Sequence, residues 1–391
     1  MAHLGHQSDD IISVNVSDPV MKDGGKYIVY TISGSDKDGP FEVFRRYSDF
    51  DHFRALLVQR WPGCFIPPIP SKKAIGNKES KFLEDRKNFL QYFVEKIAEI
   101  RHIWYSEENK EFIRNTSNDF EKVLNNLPKQ TTDDIINKYK TCFSNLAGVE
   151  INNEINTKIS KFKQFLETAA KKLDKMKAFC RTLSQSREKF DAQLAIMNNT
   201  VIPEYEKYCV LEYALQNENL LVYNRDENLK ANFREIEGMN KNNDFELLVN
   251  MIRMELKEVE SFLEALRNKD MIEEKKQQAQ AKLKSEQQEQ TKLQAGKTTF
   301  KSLFSKGTKE DKVQKLEKSI YETQHELENY SLLADLITVI IGYVEVDKFK
   351  NQKQNRYYNI MQRVSNLQYN LNMKVATYWN SVKYANQQVN V

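Results

Sequence analysis

The stretch Arg45-Arg46-Tyr47-Ser48-Asp49-Phe50 decides how the N-terminal part of this chain folds. It follows Phe41-Glu42-Val43-Phe44, whose β-branched and aromatic side chains are typical of a strand. After it, Phe50, Phe53 and Leu57 recur at helical spacing. The segment therefore predicts a strand that ends in two arginines and an aromatic ring, directly before a helix.

Two further strand patterns precede this one, at residues 11–16 and 26–32, and Gly-rich turn signals separate the three. They predict a three-stranded antiparallel meander. Helical spacing returns in residues 81–100 and in a short segment around 109–113. The first third of the chain also holds seven of its eight prolines. We therefore expect an α+β module over residues 9–125.

Two more motifs follow the first in order, Ile66-Pro67-Pro68-Ile69-Pro70-Ser71-Lys72-Lys73 and Phe82-Leu83-Glu84-Asp85-Arg86-Lys87. Together the three segments resemble the PX (phox-homology) domain, which binds phosphoinositide headgroups. The chemistry is suitable, because a planar guanidinium forms paired hydrogen bonds to phosphate oxygens. An adjacent aromatic ring can also pack on the apolar face of an inositol ring.

The resemblance implies a role for each matched residue. Arg46 would hold the 3-phosphate, Tyr47 would stack on the inositol ring, and Ser48 would line the same edge. Lys72 would contact the 1-phosphate, and Arg86 would bond the ring hydroxyls at positions 4 and 5. In the family this pattern favours phosphatidylinositol 3-phosphate.

The residues after Lys72 are expected to meet the membrane itself. Lys73 can substitute for Lys72, and Ala74-Ile75-Gly76 is the expected loop tip, with Ile75 dipping into the bilayer. Taken singly, the motifs have other interpretations. Paired arginines at a strand end are usually solvated or ion-paired, and Pro67-Pro68-Ile69-Pro70 also fits an SH3 docking site.

Residues 150–388 are predicted to be all helical, because Lys, Glu, Gln, Asn and Leu dominate and only Pro203 remains. Three helices are expected, over roughly 150–197, 204–293 and 309–387. At the α-helical rise the two longer ones would extend about 110–135 Å, which predicts an elongated antiparallel coiled-coil bundle. Around residues 332–340 the third helix is apolar on most of its circumference, which suggests that a second chain covers it.

Positive charge is concentrated between Lys275 and Lys318, a segment that contains twelve lysines and five acidic residues. This segment would form a tip of the bundle, and Lys297, Lys301 and Lys306 are the expected membrane contacts there. The alternatives are a solvated helix end or a nucleic-acid patch, although no nucleic-acid-binding signature accompanies it. We expect no nucleic-acid partner.

Residues 131–148 form a predicted linker helix with one apolar face. Such a helix can wedge into a membrane leaflet or pack back onto the bundle, and the sequence favours neither.

Several classes of function have no support in the sequence. No nucleotide-binding, nucleophile-elbow or zinc-protease motif is present, and the four cysteines and five histidines are scattered. We therefore expect no enzyme activity, no cofactor and no metal. The first ten residues lack a signal-peptide pattern, and the longest apolar run carries charged residues, so a membrane would be met peripherally.

A PX-like module, an amphipathic linker and three long helices together resemble the sorting nexins that carry a BAR domain. The resemblance implies a cytoplasmic protein, peripheral on early or recycling endosome membranes, that forms a homodimer or a heterodimer with a related sorting nexin. It would sense or induce membrane curvature during protein transport. The alternative is a coiled-coil scaffold that is targeted to endosomes by the PX module and does not shape the membrane.

Overall fold

The computed structural model describes residues 11–72, 80–146, 148–210, 231, 233–234, 244–295 and 309–387. The chain divides into two compact units. The first combines Met1–Leu166 with Lys257–Lys348, and the second combines Glu167–Leu256 with Phe349–Val391.

The N-terminal sheet is antiparallel and has four strands. They are β1 (Ser13–Val16), β2 (Val20–Lys22), β3 (Tyr27–Asp36) and β4 (Gly39–Arg46). β4 pairs with one edge of β3, while β1 and β2 pair in succession with its other edge. The sequence predicts three of these strands and misses β2. Pro19 separates β1 from β2, and proline has no N–H for the ladder, so the edge strand is interrupted there.

Helices account for nearly all the remaining described residues. They are α1 (Tyr47–Arg60), α2 (Ser80–Ala98), α3 (Arg101–Trp104), α4 (Glu107–Arg114), α5 (Phe120–Asn125), α6 (Thr132–Cys142), α7 (Asn153–Ile196), α8 (Ile202–Tyr205), α9 (Asp244–Gln294), α10 (Lys309–Ile340) and α11 (Val346–Gln387). Five-residue π-helical segments follow α7, α8 and α10, at Met197–Val201, Glu206–Val210 and Ile341–Glu345.

The expected break before Pro203 is wrong, because the chain stays helical from Asn153 to Val210. Proline lacks an N–H and crowds the preceding turn of an α-helix. A wider π-helical turn at Met197–Val201 ends two residues before Pro203, and such turns are found where a proline disturbs an α-helix.

An aromatic cluster forms the core between the sheet and its helices. The rings of Phe53 and Phe112 stack with centroids 4.0 Å apart, and Phe50 meets Phe112 edge-on at 5.1 Å. Phe93 contacts both Phe50 and Phe53. Tyr30 of β3 meets Phe50 edge-on at 6.4 Å and so links this cluster to the sheet. The cluster thus positions α1, which begins with Tyr47 of the Arg46-Tyr47 motif.

The apolar band of α10 is covered largely by its own chain. Ile337 lies against Gly63, and the following Gly342 lies against Ile155 of α7. α6 packs on α10 as well, with Ile136 and Tyr139 buried. Most of this band therefore needs no second chain to cover it. The sequence does not predict this, because it does not show which segments of one chain reach the band.

The second unit has its own small cores. One joins Cys180 of α7, Leu248 and Ile252 of α9, and Val364 of α11. The other surrounds Tyr378, whose hydroxyl donates a 3.0 Å hydrogen bond to the Asn198 side chain.

Candidate lipid-headgroup site

The two arginines at the end of β4 have opposite environments, because side chains alternate across a strand. Arg45 points inward and is only 1% exposed. Its guanidinium donates to the backbone carbonyls of Phe112, at 3.0 Å, and Asn115, at 2.5 Å. Arg46 is exposed, and its backbone N–H donates to the Asp49 carboxylate at 2.7 Å. Arg45 is therefore structural, and Arg46 is the arginine that can reach a ligand.

The Arg46 guanidinium lies on an aromatic ring. Its central carbon is 3.6 Å from the ring centroid of Tyr27, the first residue of β3. Among the described residues, no carboxylate forms an ion pair with this guanidinium. The contact orients the cation while leaving its hydrogen-bond donors available.

Arg86 of α2 is held between two aromatic rings. Its guanidinium carbon lies 4.3 Å from the ring centroid of Tyr47 and 4.4 Å from that of Phe82. The residue is 7% exposed, and within the described part of the chain its Nε–H meets no hydrogen-bond acceptor. Buried cations normally have such partners, so Arg86 has donor capacity that a hydroxyl or phosphate oxygen would fill.

Two tyrosine hydroxyls lie close to this cation. Burial raises the pKa of Tyr47 to about 12, and nearby Asp51 adds to the rise while Arg86 and Arg54 oppose it. Burial likewise raises the pKa of Tyr30, against the opposing charge of Arg86. Both hydroxyls therefore remain protonated at neutral pH beside the arginine.

Tyr47 connects the three segments of the motif. Arg46 precedes it in the chain, its ring supports Arg86, and its hydroxyl donates to the backbone carbonyl of Pro70. Lys72 follows Pro70 by two residues and is exposed. Ser48 is half-buried, with its hydroxyl 3.5 Å from the Asp49 carboxylate. The structure thus brings the backbone segments of the predicted site residues together at one ring.

The residues predicted to touch the membrane lie outside the described residues. They are Lys73, Ile75, Lys297, Lys301 and Lys306. The linker helix is described, and its apolar face is buried rather than free. The Tyr139 hydroxyl donates a 2.7 Å hydrogen bond to the Pro62 carbonyl, and the Tyr139 ring stacks on Trp61. In this structure α6 takes the packing alternative.

Sequence reasoning misses two aromatic residues of the site, although signals for both exist. Phe82 precedes Arg86 by four residues, which places the two on one helical face. Tyr27 is two residues from Val29, the cross-strand partner of Arg46, and such diagonal pairs are within reach of long side chains. The second signal requires the strand register.

Two other kinds of site are absent from the described part of the chain. No helix there is long and apolar enough to cross a membrane. The same residues contain no group of His, Cys, Asp and Glu side chains arranged to hold a metal ion.

Comparison with known proteins identifies a domain family for this part of the chain. The PX domain family model matches residues 34–116. A solved SNX-BAR structure, that of the Mvp1 tetramer, covers 97% of this chain and 100% of its own, with a TM-score of 0.53 and 15% identity. The chain has the PX-BAR fold of the sorting nexins.

Among curated proteins, the PX-BAR chain is similar to sorting nexins over parts of their length. Sorting nexin 1 of Arabidopsis thaliana is 35% identical over 116 residues, which are 27% of this chain and 29% of that protein. Sorting nexin-4 of Saccharomyces cerevisiae is 26% identical over 290 residues, which are 67% of this chain and 64% of that protein. The matches therefore span less than two thirds of these relatives.

Proposed function

We propose that the PX domain binds a 3-phosphorylated phosphoinositide, with phosphatidylinositol 3-phosphate as the preferred lipid. Arg46 would bind the 3-phosphate, Lys72 the 1-phosphate, and Arg86 the hydroxyls at positions 4 and 5. Tyr47 and Ser48 would line the pocket. The observation that carries the proposal is the buried Arg86 guanidinium on the Tyr47 ring, whose Nε–H lacks an acceptor among the described residues. An exposed arginine, Arg46, directly precedes that ring.

The test is replacement of Arg46 by alanine. Binding of vesicles that contain phosphatidylinositol 3-phosphate should weaken at least about tenfold, because a charge-assisted hydrogen-bond pair is lost. Lys122→Ala is the control, since it removes one exposed cation from α5 of the same domain. Vesicle sedimentation measures binding, and thermal unfolding should be unchanged in both variants. Equal recruitment of Arg46→Ala and the wild type would contradict the assignment.

Lipid preference needs a separate measurement. Flotation of the protein with vesicles that carry each phosphoinositide in turn should give the strongest binding with phosphatidylinositol 3-phosphate. Stronger binding of a lipid that lacks the 3-phosphate would overturn the role given to Arg46.

We further propose that the chain dimerises, with itself or with a related sorting nexin. The support is a stripe of apolar side chains on α7 that the described chain does not cover. Met176, Phe179 and Phe190 are all exposed, and the separation of eleven positions between Phe179 and Phe190 corresponds to about three helical turns. These residues thus share a face. The similar SNX-BAR structure is itself an oligomer, a tetramer of Mvp1.

Each chain would have two weak membrane contacts, the headgroup pocket and the lysine-rich segment from Lys275 to Lys318. A dimer would carry two copies of both contacts. Once one contact forms, the next is nearly intramolecular, so the combined affinity greatly exceeds that of a single pocket. On this basis we propose peripheral binding to early or recycling endosomes and the sensing or induction of curvature during protein transport.

Electron microscopy of phosphoinositide vesicles mixed with the protein distinguishes this function from its alternative. Tubules would support membrane shaping. Spherical vesicles that bind the protein without deforming would instead support a coiled-coil scaffold that uses the PX domain only for membrane targeting.

A further inference from the structure

Arg54 of α1 joins the proline-rich segment to the helical region within the first unit. Its Nε–H donates to the Pro67 carbonyl at 2.8 Å. Its Nη2 group donates to the Ser261 hydroxyl at 3.0 Å and to the Glu264 carboxylate at 2.7 Å, both on α9. The Arg54 side chain is 17% exposed, so these bonds are partly shielded from water.

The same helix holds the proline-rich segment at two points. Arg54 binds the carbonyl of Pro67, and Tyr47 binds that of Pro70. Seven residues separate Arg54 from Tyr47, about two helical turns, so both lie on one face of α1. Because the prolines have no N–H to donate, this segment depends on its carbonyls for anchoring hydrogen bonds. Lys72 lies two residues after Pro70, the second anchoring point.

We propose that Arg54 is a positioning residue for the headgroup site, and that Glu264 and Ser261 of the helical region orient it. The inference rests on the proposed phosphoinositide binding and adds a coupling to it. Headgroup binding holds the segment that carries Lys72 more firmly, and Arg54 transmits that restraint to α9. Because coupling between two sites is reciprocal, a change in α9 alters headgroup affinity, and headgroup binding stabilises α9.

The helix offers a matched control for Glu264. Glu260 lies one turn earlier and lines the same open cavity of about 230 Å³. It pairs with Lys257 at 2.6 Å, and its side chain is exposed. Changing either glutamate to glutamine removes one negative charge from the same helix face and keeps the side-chain volume. Only Glu264→Gln removes the charge that orients Arg54.

The experiment uses the full chain and soluble inositol 1,3-bisphosphate, which removes membrane avidity. Titration calorimetry should show about fivefold weaker binding for Glu264→Gln, the lower end of typical coupling between sites. Arg54→Ala should weaken binding about tenfold or more, whereas Glu260→Gln should match the wild type. Should Arg54→Ala fail to fold, the comparison of the two glutamine variants still decides.

Hydrogen exchange provides a readout that a merely structural role would not give. Adding the inositol phosphate should slow amide exchange across residues 257–267 in the wild type and in Glu260→Gln. This ligand-dependent slowing should be lost in Glu264→Gln, with an unchanged thermal midpoint.

The outcomes separate the coupling from the function on which it rests. If Arg46→Ala abolishes binding but Glu264→Gln and Glu260→Gln bind alike, the site stands and the coupling is wrong. If the wild type does not bind the inositol phosphate, or Arg46→Ala binds it equally well, the headgroup function itself fails and takes the coupling with it.

Discussion

Tyr27 provides the aromatic face on which the Arg46 guanidinium lies, with 3.6 Å between cation and ring centroid. A cation–π contact at an exposed site contributes about 0.5–1 kcal/mol. We therefore predict that Tyr27→Leu weakens headgroup binding about two- to fivefold, since Arg46 is no longer oriented before the ligand arrives. Tyr27→Phe keeps the ring and should bind like the wild type. Calorimetry with inositol 1,3-bisphosphate checks this, and equal affinity of the leucine variant would refute it.

At the level of single residues, the sequence predicts which residues belong to the candidate site better than it predicts how buried they are and what surrounds them. The motif selects Arg46 over Arg45, and the alternation of β4 agrees, because it buries Arg45 and exposes Arg46. The sequence does not predict that Arg86 is buried between two rings. That environment depends on how α2 packs against α1, which is a tertiary contact rather than a local pattern.

Gly63 allows the loop after α1 to approach α10 closely. Its φ is +85°, and a Cβ there would lie 2.4 Å from Cγ2 of Ile337. Gly63→Ala should therefore combine backbone strain with overpacking and destabilise the protein by about 2–4 kcal/mol. Gly39→Ala is the control, because Gly39 has a φ of +97° but no atom within 4 Å of its Cβ position.

Gly39→Ala should lower the free energy of unfolding only by the backbone strain, about 1–2 kcal/mol. Urea unfolding followed by tryptophan fluorescence measures both variants. Similar losses for Gly63→Ala and Gly39→Ala would show that the contact with Ile337 contributes nothing.

Glu345 lies buried in the π-helical segment after α10, where it accepts a hydrogen bond from the Phe65 backbone N–H. Burial raises the pKa of Glu345 from 4.5 to about 7, against the opposing effects of Lys348 and that hydrogen bond. A carboxyl with a raised folded-state pKa stabilises the fold fully below its unfolded pKa. That contribution is lost as pH rises from 4.5 through about 7.

Glu345→Gln should accordingly be more stable than the wild type above pH 7, by up to about 3 kcal/mol, and equally stable near pH 4. His102 titrates in the opposite sense, because burial lowers its pKa to about 4 and Lys348 and Lys138 add to that shift. Both proteins contain His102, so its contribution cancels in the difference. The measurement is the free energy of unfolding of the two proteins as a function of pH. A difference between them that stays constant from pH 4 to 8 would contradict the prediction.

At the level of elements, local patterns predict three strands and the helices α1, α2 and α4 of the PX domain, because periodicity within one segment specifies each. The short helices α3 and α5 are not predicted. Two features depend on tertiary packing and are not predictable in this way. The apolar band of α10 packs against α6 and the Gly63 loop, and α7 packs on the π-helical segment that follows α10. The π-helical segment before Pro203 keeps the chain helical where the proline predicts an end.

For the whole molecule, the exposed stripe on α7 leads to a prediction about assembly. Phe179 is 64% exposed in the single chain, and a glutamate there would place a charge in an apolar interface, which is costly without a partner. Phe179→Glu should raise the dimer dissociation constant at least about tenfold. Sedimentation equilibrium should show the wild type near twice 45.9 kDa.

Gln185→Glu is the control, since Gln185 is exposed on another face of α7. It should leave the dimer unchanged. A wild-type protein that sediments as a monomer of 45.9 kDa would contradict the homodimer and leave only dimerisation with a related sorting nexin.

The opposite orientations of Arg45 and Arg46 have a consequence for how this domain can diverge. An insertion or deletion of one residue within β4 would reverse the parity of the strand, so that the arginine now facing solvent would enter the core and the other would leave it. Length changes among related domains should therefore be confined to the hairpin tip at Lys37-Asp38, outside the paired residues, or come in twos.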